Sequence, residues 1–116
     1  MTICFFNSHK AWGGGEKWHF DMATCLQDKG YQVHFITSRK SVLLSKLDKT
    51  GIKLKTICIS NLSFLNPYKV FRVRKYLKKN QIQTLIINLP SDLKIAGTAA
   101  KLAGVKKVFY RRGSAI

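Results

Sequence analysis

Residues 3–22 read ICFFNSHKAWGGGEKWHFDM, and this stretch decides the fold. Its first four residues form a short apolar run of the kind found in buried strands. Three glycines, Gly13, Gly14 and Gly15, separate that run from a segment in which apolar residues recur at helical spacing. The stretch therefore predicts a strand, a glycine-rich loop and a helix that starts with Glu16 and runs to residue 29.

Apolar and amphipathic runs alternate to the end of the chain. Further strands are predicted at residues 32–38, 52–59, 84–89 and 107–110. Further helices are predicted at residues 41–50, 68–80 and 92–103. Strands that alternate with helices imply right-handed crossovers and a mostly parallel sheet. We therefore expect a Rossmann-like three-layer α/β/α sandwich of about five strands that binds its ligand at their carboxyl ends.

The charge balance of the chain is strongly basic. Lys and Arg number 21 and Asp and Glu only 5, which gives a net charge of +16. A chain of this kind attracts anions, whether nucleic acid, anionic lipid or phosphorylated substrates.

Several classes of protein are disfavoured. The three cysteines, Cys4, Cys25 and Cys58, lack the spacing of a zinc site, and their apolar surroundings favour buried free thiols in a reducing compartment. The chain has no run of roughly 20 apolar residues that would span a bilayer. Its start lacks the basic region of a signal peptide. We therefore expect a cytoplasmic protein without a metal site.

The glycine loop has two interpretations. Without a Cβ, the loop lets a phosphate reach the free N–H groups and the positive dipole at the start of the helix. A flexible turn that closes tightly against the sheet explains the same glycines. A dinucleotide fingerprint is incomplete because Trp18 occupies its third glycine position and no acid follows the second strand. Arg39 at that point leaves NADP as an alternative, and a Walker A motif is absent.

Two longer stretches resemble a known family. WGGGEKWHFDMATCLQDKGYQVHFIT resembles the N-terminal signature of family 4 glycosyltransferases, which have a GT-B fold. LIINLPSDLKIAGTAAKLAGVKKVFYRRG resembles the family's fourth strand, Ala-rich helix and fifth strand. The resemblance implies an N-terminal, acceptor-side domain that faces a C-terminal domain for the nucleotide-sugar donor. That second domain is expected to be missing from these 116 residues, so the chain alone is expected to be inactive.

The resemblance also implies a function. Gly13, Gly14 and Gly15 would lie against the donor's diphosphate, and Glu16 would steady the helix beneath it. The reaction would transfer a glycosyl group from a nucleotide-sugar to a hydroxyl of a glycan or lipid-linked acceptor, as in polysaccharide biosynthesis. It would retain the anomeric configuration and need no metal or further cofactor. The catalytic residues stay unknown, and the alternatives are a basic α/β module that binds nucleic acid and an NADP-dependent reductase.

The end of the fifth strand departs from the family pattern. Many members carry a His there, whereas this chain has Tyr110 followed by Arg111 and Arg112. These two arginines and His9, near the glycine loop, are candidates for contact with the acceptor or a phosphate. A solvated basic end and an ordinary loop residue are the alternative explanations.

The predicted helix at residues 68–80 is basic on one side. Val70, Val73 and Leu77 form a narrow core stripe. The opposite arc carries one aromatic and five basic residues: Phe71, Arg72, Arg74, Lys75, Lys78 and Lys79. This combination is typical of a helix that docks on an anionic membrane surface, here the inner face. A solvated face and nucleic-acid binding are the alternatives.

Overall fold

A computed structural model of the protein describes residues 2–7, 14–38, 42–56, 67–87 and 90–110. Within these ranges strands and helices alternate, as the sequence predicts. The strands are β1 (Thr2–Asn7), β2 (Gln32–Thr37), β3 (Lys53–Thr56), β4 (Thr84–Ile87) and β5 (Lys107–Tyr110). The helices are α1 (Gly14–Asp28), α2 (Val42–Leu47), α3 (Pro67–Lys79) and α4 (Pro90–Ala103).

The strands form one sheet in the order β3-β2-β1-β4-β5. Every neighbouring pair is parallel, which confirms the predicted Rossmann-like sheet. From β1 the chain moves outward through β2 to β3, and then returns to place β4 on the other side of β1. The strand order thus reverses between β1 and β4. In open parallel sheets, ligands bind at such a reversal, beyond the carboxyl ends of the strands.

The central strand β1 is buried on both faces because helices cover both sides of the sheet. Phe5 belongs to a buried cluster that includes Leu43 of α2, and Ala23 of α1 lies in the same cluster. Phe6, on the opposite face, packs in a cluster with Leu77 of α3. Both phenylalanines are fully buried, and each contributes about 1.5–3 kcal/mol to stability. The predicted three-layer sandwich is therefore confirmed.

The buried side of α1 does not include Cys25, whose thiol the sequence predicts to be buried. Glu16, His19 and Ala23 are its buried residues, whereas Cys25 is exposed. Cys25 follows Ala23 by two residues, about 200° around the helix, so the expectation of a buried thiol there is wrong. Cys4 is buried as expected, and burial raises the pKa of its thiol, which keeps it protonated and unreactive. Cys58 lies outside the described residues.

The edge strand β5 is exposed along its whole length. Val108 is 42% exposed and Phe109 is 54% exposed. Neighbouring residues of a strand point to opposite faces, so both faces of the sheet present apolar surface at this edge.

A polar contact fastens α3 to the sheet. The hydroxyl of Tyr76 lies 2.8 Å from Nδ1 of His34, which sits on β2 and is 1% exposed. Burial raises the pKa of Tyr76, and nearby Cys4 raises it further, so the phenol stays neutral. Because this contact joins α3 to a central part of the sheet, it fixes how the helix presents its outer face.

We expect Tyr76→Phe to lower the free energy of unfolding by about 1–2 kcal/mol, because it removes the partner of a buried ring nitrogen. Urea denaturation measures this change. Tyr31→Phe, at a position that is 37% exposed, is the matched control and is expected to leave stability unchanged. Equal stability of the two variants would contradict the anchoring role of Tyr76.

The burial of His34 predicts that stability depends on pH. Burial lowers the pKa of His34, and the positive charge of nearby Lys53 lowers it further. The unfolded histidine has a pKa of about 6.5, so the unfolded chain binds a proton that folded His34 resists. Stability should therefore fall as the pH drops below about 6.5.

We expect His34→Asn, whose amide places an acceptor near the position of Nδ1, to reduce this fall by up to about 1.4 kcal/mol per pH unit. Urea denaturation between neutral pH and about pH 5 covers the transition. The prediction is wrong if variant and wild type lose stability with the same slope.

Candidate functional site

The candidate site lies at the carboxyl edge of the sheet, where the strand order reverses beside β1. Asn7 ends β1, Ile87 ends β4, and α1 starts at the same edge with Gly14 and Gly15. Segments 8–13 and 88–89, which continue from these strand ends, lie outside the described residues. Of the sequence-predicted contacts, Gly13, His9, Arg111 and Arg112 also lie outside them. Their proposed roles stay predictions.

The helix starts earlier than the sequence predicts. Gly14 and Gly15 form part of the first turn of α1 instead of the loop before it. The first N–H groups of a helix have no partner within the helix, and the positive end of the dipole lies there. Glycine in this turn leaves the space beside those N–H groups free of a Cβ. The predicted contact of this turn with a phosphate stays a prediction.

Glu16 occupies the same turn, as predicted, but it does more than face the dipole. Its carboxylate is 3% exposed and accepts a hydrogen bond from Nδ2 of Asn7, with 3.2 Å between Nδ2 and Oε2. Asn7 is fully buried. The contact joins the last residue of β1 directly to the first turn of α1. Sequence reasoning missed Asn7, although its polar side chain at the end of an apolar run was the available signal.

The end of β2 adds two buried hydroxyls to this edge. Thr37 is the register partner of Asn7, and Ser38 follows it. Thr37 is fully buried and Ser38 is 3% exposed. All four of these polar residues make further interactions. The edge is therefore a buried polar layer, in which the contact between Asn7 and Glu16 joins the end of β1 to the start of α1.

His19 lies one turn further along α1 and is fully buried. Its ring centroid is 5.3 Å from that of Phe5 and 6.1 Å from that of Phe35, in edge-to-face arrangements. Trp18 lies beside it at 5.5 Å. This aromatic surrounding makes His19 part of the core.

The basic helix α3 has the two sides that the sequence predicts. Val70, Val73 and Leu77 are buried. On the outer side, Phe71 is 57% exposed, and Tyr68 in the turn before it is 80% exposed. Five of the six predicted docking residues line one surface groove of about 350 Å³: Phe71, Arg74, Lys75, Lys78 and Lys79.

Two arginines of α3 do not simply form part of an exposed basic face, as the sequence predicts. Arg72 lies beside Lys55, Val73 and Tyr76, away from that groove, so the structure separates it from the other five. Arg74 donates from Nε to the carbonyl oxygen of Leu102, at 3.4 Å, near the end of α4. One guanidinium N–H group therefore fastens the two helices together.

A second groove, of about 610 Å³, lies between α1 and α2 on the other face of the sheet. Lys17, Lys46 and Lys49 line it together with Asp21, which pairs with Lys17 at 2.9 Å. Sequence analysis did not predict this surface, because its lysines lie far apart along the chain.

Two further features are absent from the described part of the chain. No group of three or more His, Cys, Asp or Glu side chains there is arranged to hold a metal ion. None of the described helices is long and apolar enough to cross a lipid bilayer.

Comparison with known proteins gives a family and a set of similar folds. The sequence model of Glycosyltransferase Family 4 matches residues 12–115. No curated protein sequence matches the chain. Among solved structures, MurG from Acinetobacter baumannii has a TM-score of 0.75 and 17% identity, over 94% of this chain and 34% of its own. HepE from Anabaena, solved with UDP-glucose, has a TM-score of 0.73 and 19% identity, over 95% of this chain and 28% of its own.

These structural similarities establish the fold and leave the activity open. The C-terminal domain of a Pyrococcus furiosus hydrogenase also matches, with a TM-score of 0.68 and 19% identity over 94% of this chain and 88% of its own. One fold therefore serves different functions among the structures that match. The chain spans about a third of MurG and less of HepE.

The family match is the more specific finding, because it covers nearly the whole sequence, including the glycine-Glu stretch. The parallel sheet and the position of that stretch at the reversal of strand order agree with it. The chain belongs to glycosyltransferase family 4 and has the Rossmann-like fold of the N-terminal domain of a GT-B enzyme.

Proposed function

We propose that this domain is the acceptor-side half of a nucleotide-sugar-dependent glycosyltransferase. It would transfer a glycosyl group, with retention, to a hydroxyl of a glycan or lipid-linked acceptor. The observation that carries the proposal is the family match over residues 12–115, with the glycine turn of α1 at the strand-order reversal. A second, donor-binding half would complete the cleft. This match favours the transferase over a nucleic-acid-binding module or an NADP-dependent reductase.

The first turn of α1 would act on the leaving group. When the glycosidic bond of the donor breaks, negative charge develops on the departing diphosphate. N–H groups fixed at a helix start stabilise such charge without reorganisation, and this kind of stabilisation is often the largest contribution to the rate. Gly14 and Gly15 would admit the phosphate oxygens. The nucleotide-sugar would be a co-substrate, with no metal or separate cofactor. HepE, solved with UDP-glucose, supports a uridine nucleotide as the first donor to test.

The proposal is tested with a panel of nucleotide-sugars and the full-length protein, with the glycosylated product detected by mass spectrometry. We expect Gly14→Ala and Gly15→Ala to lower kcat/KM for the donor about 10²-fold, because a Cβ would keep the phosphate from the N–H groups. Both positions are helical, so alanine is compatible with the backbone there.

Gly97→Ala, in α4, is the matched control. A Cβ at Gly97 would meet Leu93 Cδ1 at an ordinary 3.7 Å, and the position lies away from the proposed donor site. Activity equal to wild type is expected for it. The phosphate role is wrong if the Gly14 and Gly15 variants are as active as the Gly97 variant.

We further propose that the outer side of α3 docks the protein on an anionic membrane surface, where a lipid-linked acceptor would be found. Four basic residues surround exposed Phe71 in one groove, and Tyr68 extends the aromatic surface by one turn. No described acidic residue belongs to α3. Basic side chains bind anionic headgroups at about 1 kcal/mol each, and an aromatic ring adds apolar burial at the interface.

We expect the double variant Phe71→Ala/Lys78→Glu to bind vesicles of phosphatidylglycerol and phosphatidylcholine at least about tenfold more weakly than wild type. Sedimentation with the vesicles at low salt measures this. Lys49→Glu makes the same charge reversal on the α1–α2 face and is expected to have a smaller effect. Membrane docking is excluded if wild type ignores anionic vesicles or if both variants bind equally. Preferential binding of RNA by the same face would favour the nucleic-acid alternative.

A further inference from the structure

A buried carboxylate next to a proposed phosphate site is an unexpected arrangement. Glu16 is 3% exposed and lies in the first turn of α1, where the donor diphosphate would bind. Burial of a charged group costs several kcal/mol unless donors satisfy it. A negative charge there also repels an incoming diphosphate. A favourable role of this side chain must therefore outweigh both the cost of burial and the repulsion.

The hydrogen bond between Glu16 and Asn7 indicates such a role. Nδ2 of Asn7 donates to Oε2 of Glu16 at 3.2 Å, and Asn7 is the last residue of β1. Glu16 is the third residue of α1. The hydrogen bond therefore spans the base of the β1–α1 connection and joins strand end to helix start directly. The contact therefore links β1 to α1 across the connection formed by residues 8–13.

The surroundings make the contact specific. Asn7 lies opposite Thr37 in the sheet, and both are fully buried. Water is therefore largely excluded, and a hydrogen bond to a charged group is stronger in such surroundings than at the surface. Lys17, the next residue of α1, is exposed and pairs with Asp21. Asn7 and Glu16 also make interactions beyond the contact with each other.

We infer, on the basis of the donor site proposed above, that Asn7 and Glu16 form a clasp that positions the first turn of α1 for the donor diphosphate. Both are positioning residues that hold Gly14 and Gly15 in place through the backbone. Two explanations of Glu16, one through its charge alone and one through positioning of the first turn, predict opposite results for anion binding. If only the charge of Glu16 matters, its neutralisation improves anion binding, and removal of the Asn7 amide changes little.

The test is UDP binding by the full-length protein, measured by isothermal titration calorimetry. We expect Asn7→Ala to raise the Kd for UDP about tenfold, because a charge-assisted hydrogen bond is lost. Glu16→Gln keeps an acceptor for the Asn7 amide and is expected to give no gain in affinity. The double variant Asn7→Asp/Glu16→Gln keeps the net charge and rebuilds the contact with donor and acceptor exchanged. We expect it to bind UDP within about threefold of wild type.

A control and a second readout separate positioning from general stability. Gln83 accepts a hydrogen bond from the N–H of Thr2, with 3.3 Å between Oε1 and N, at the opposite end of β1. Gln83→Ala therefore removes a side-chain contact of the same strand away from the site and should leave UDP affinity unchanged. In steady-state kinetics, Asn7→Ala should raise KM for the donor and leave KM for the acceptor unchanged, which a purely structural role would not do.

Three results overturn the clasp: Asn7→Ala binds UDP like wild type, Glu16→Gln binds it more tightly, or the exchanged pair is no better than Asn7→Ala. Failure of the proposed function has a different signature, in which wild type binds no nucleoside diphosphate and transfers no sugar. Amide hydrogen exchange then tests the clasp alone. It predicts faster exchange in the first turn of α1 in Asn7→Ala, with unchanged exchange in the rest of the sheet, and equal rates in variant and wild type would reject it.

Discussion

Burial of β1 on both faces is the constraint on which the rest of the structure depends. Phe5 and Phe6 point to opposite sides of the sheet and are both fully buried, so neither helix layer can be absent. Because right-handed crossovers that run in one direction place their helices on one face, helices on both faces require crossovers in both directions from the centre. The strand order therefore reverses beside β1. The reversal creates the crevice, and the connection after β1 opens into it. The position of the candidate site is thus a consequence of how the core is covered.

The polar edge of the sheet complements this apolar centre. Asn7 continues the buried run of β1, but it ends the strand with an amide that reaches Glu16. The same few residues therefore complete the core and fix the helix start that is proposed to meet a diphosphate. On the other side of the molecule, the contact between His34 and Tyr76 fixes α3 in a comparable way. In both places a polar contact with at least one buried partner sets the orientation of a surface that the proposed reaction uses.

The alternation of strands and helices could be predicted because local patterns in the sequence determine it. The continuous apolar run of β4 and the stop at Gly104 after α4 are signals within a few residues of the chain. Strand order could not be predicted in the same way, because every βαβ unit looks alike locally. The sequence predicts a later start for α1 because glycine is a poor helix former, yet Gly14 and Gly15 are helical in its first turn.

Side-chain partners needed the three-dimensional structure. The pairing of Asn7 with Glu16 depends on the crossover that brings residues nine apart together. The separation of Arg72 from the other basic residues depends on how α3 rotates onto the sheet. The exposure of Cys25 likewise depends on how α1 is rotated about its axis when it packs on the sheet. A helical pattern fixes which residues share a face, but the neighbouring layer decides which part of that face is buried.

The proposed contact between the glycine turn and the donor diphosphate is tested most directly by observing the backbone of that turn while a nucleoside diphosphate binds. In the full-length protein, ¹⁵N NMR would follow the amide resonances of Gly14 and Gly15 during titration with UDP. We expect large, saturable shifts at both glycines with the same Kd as the overall binding, because their N–H groups would contact the phosphate oxygens. Saturable UDP binding that leaves both resonances in place, with the shifts instead in the groove between α1 and α2, would contradict it.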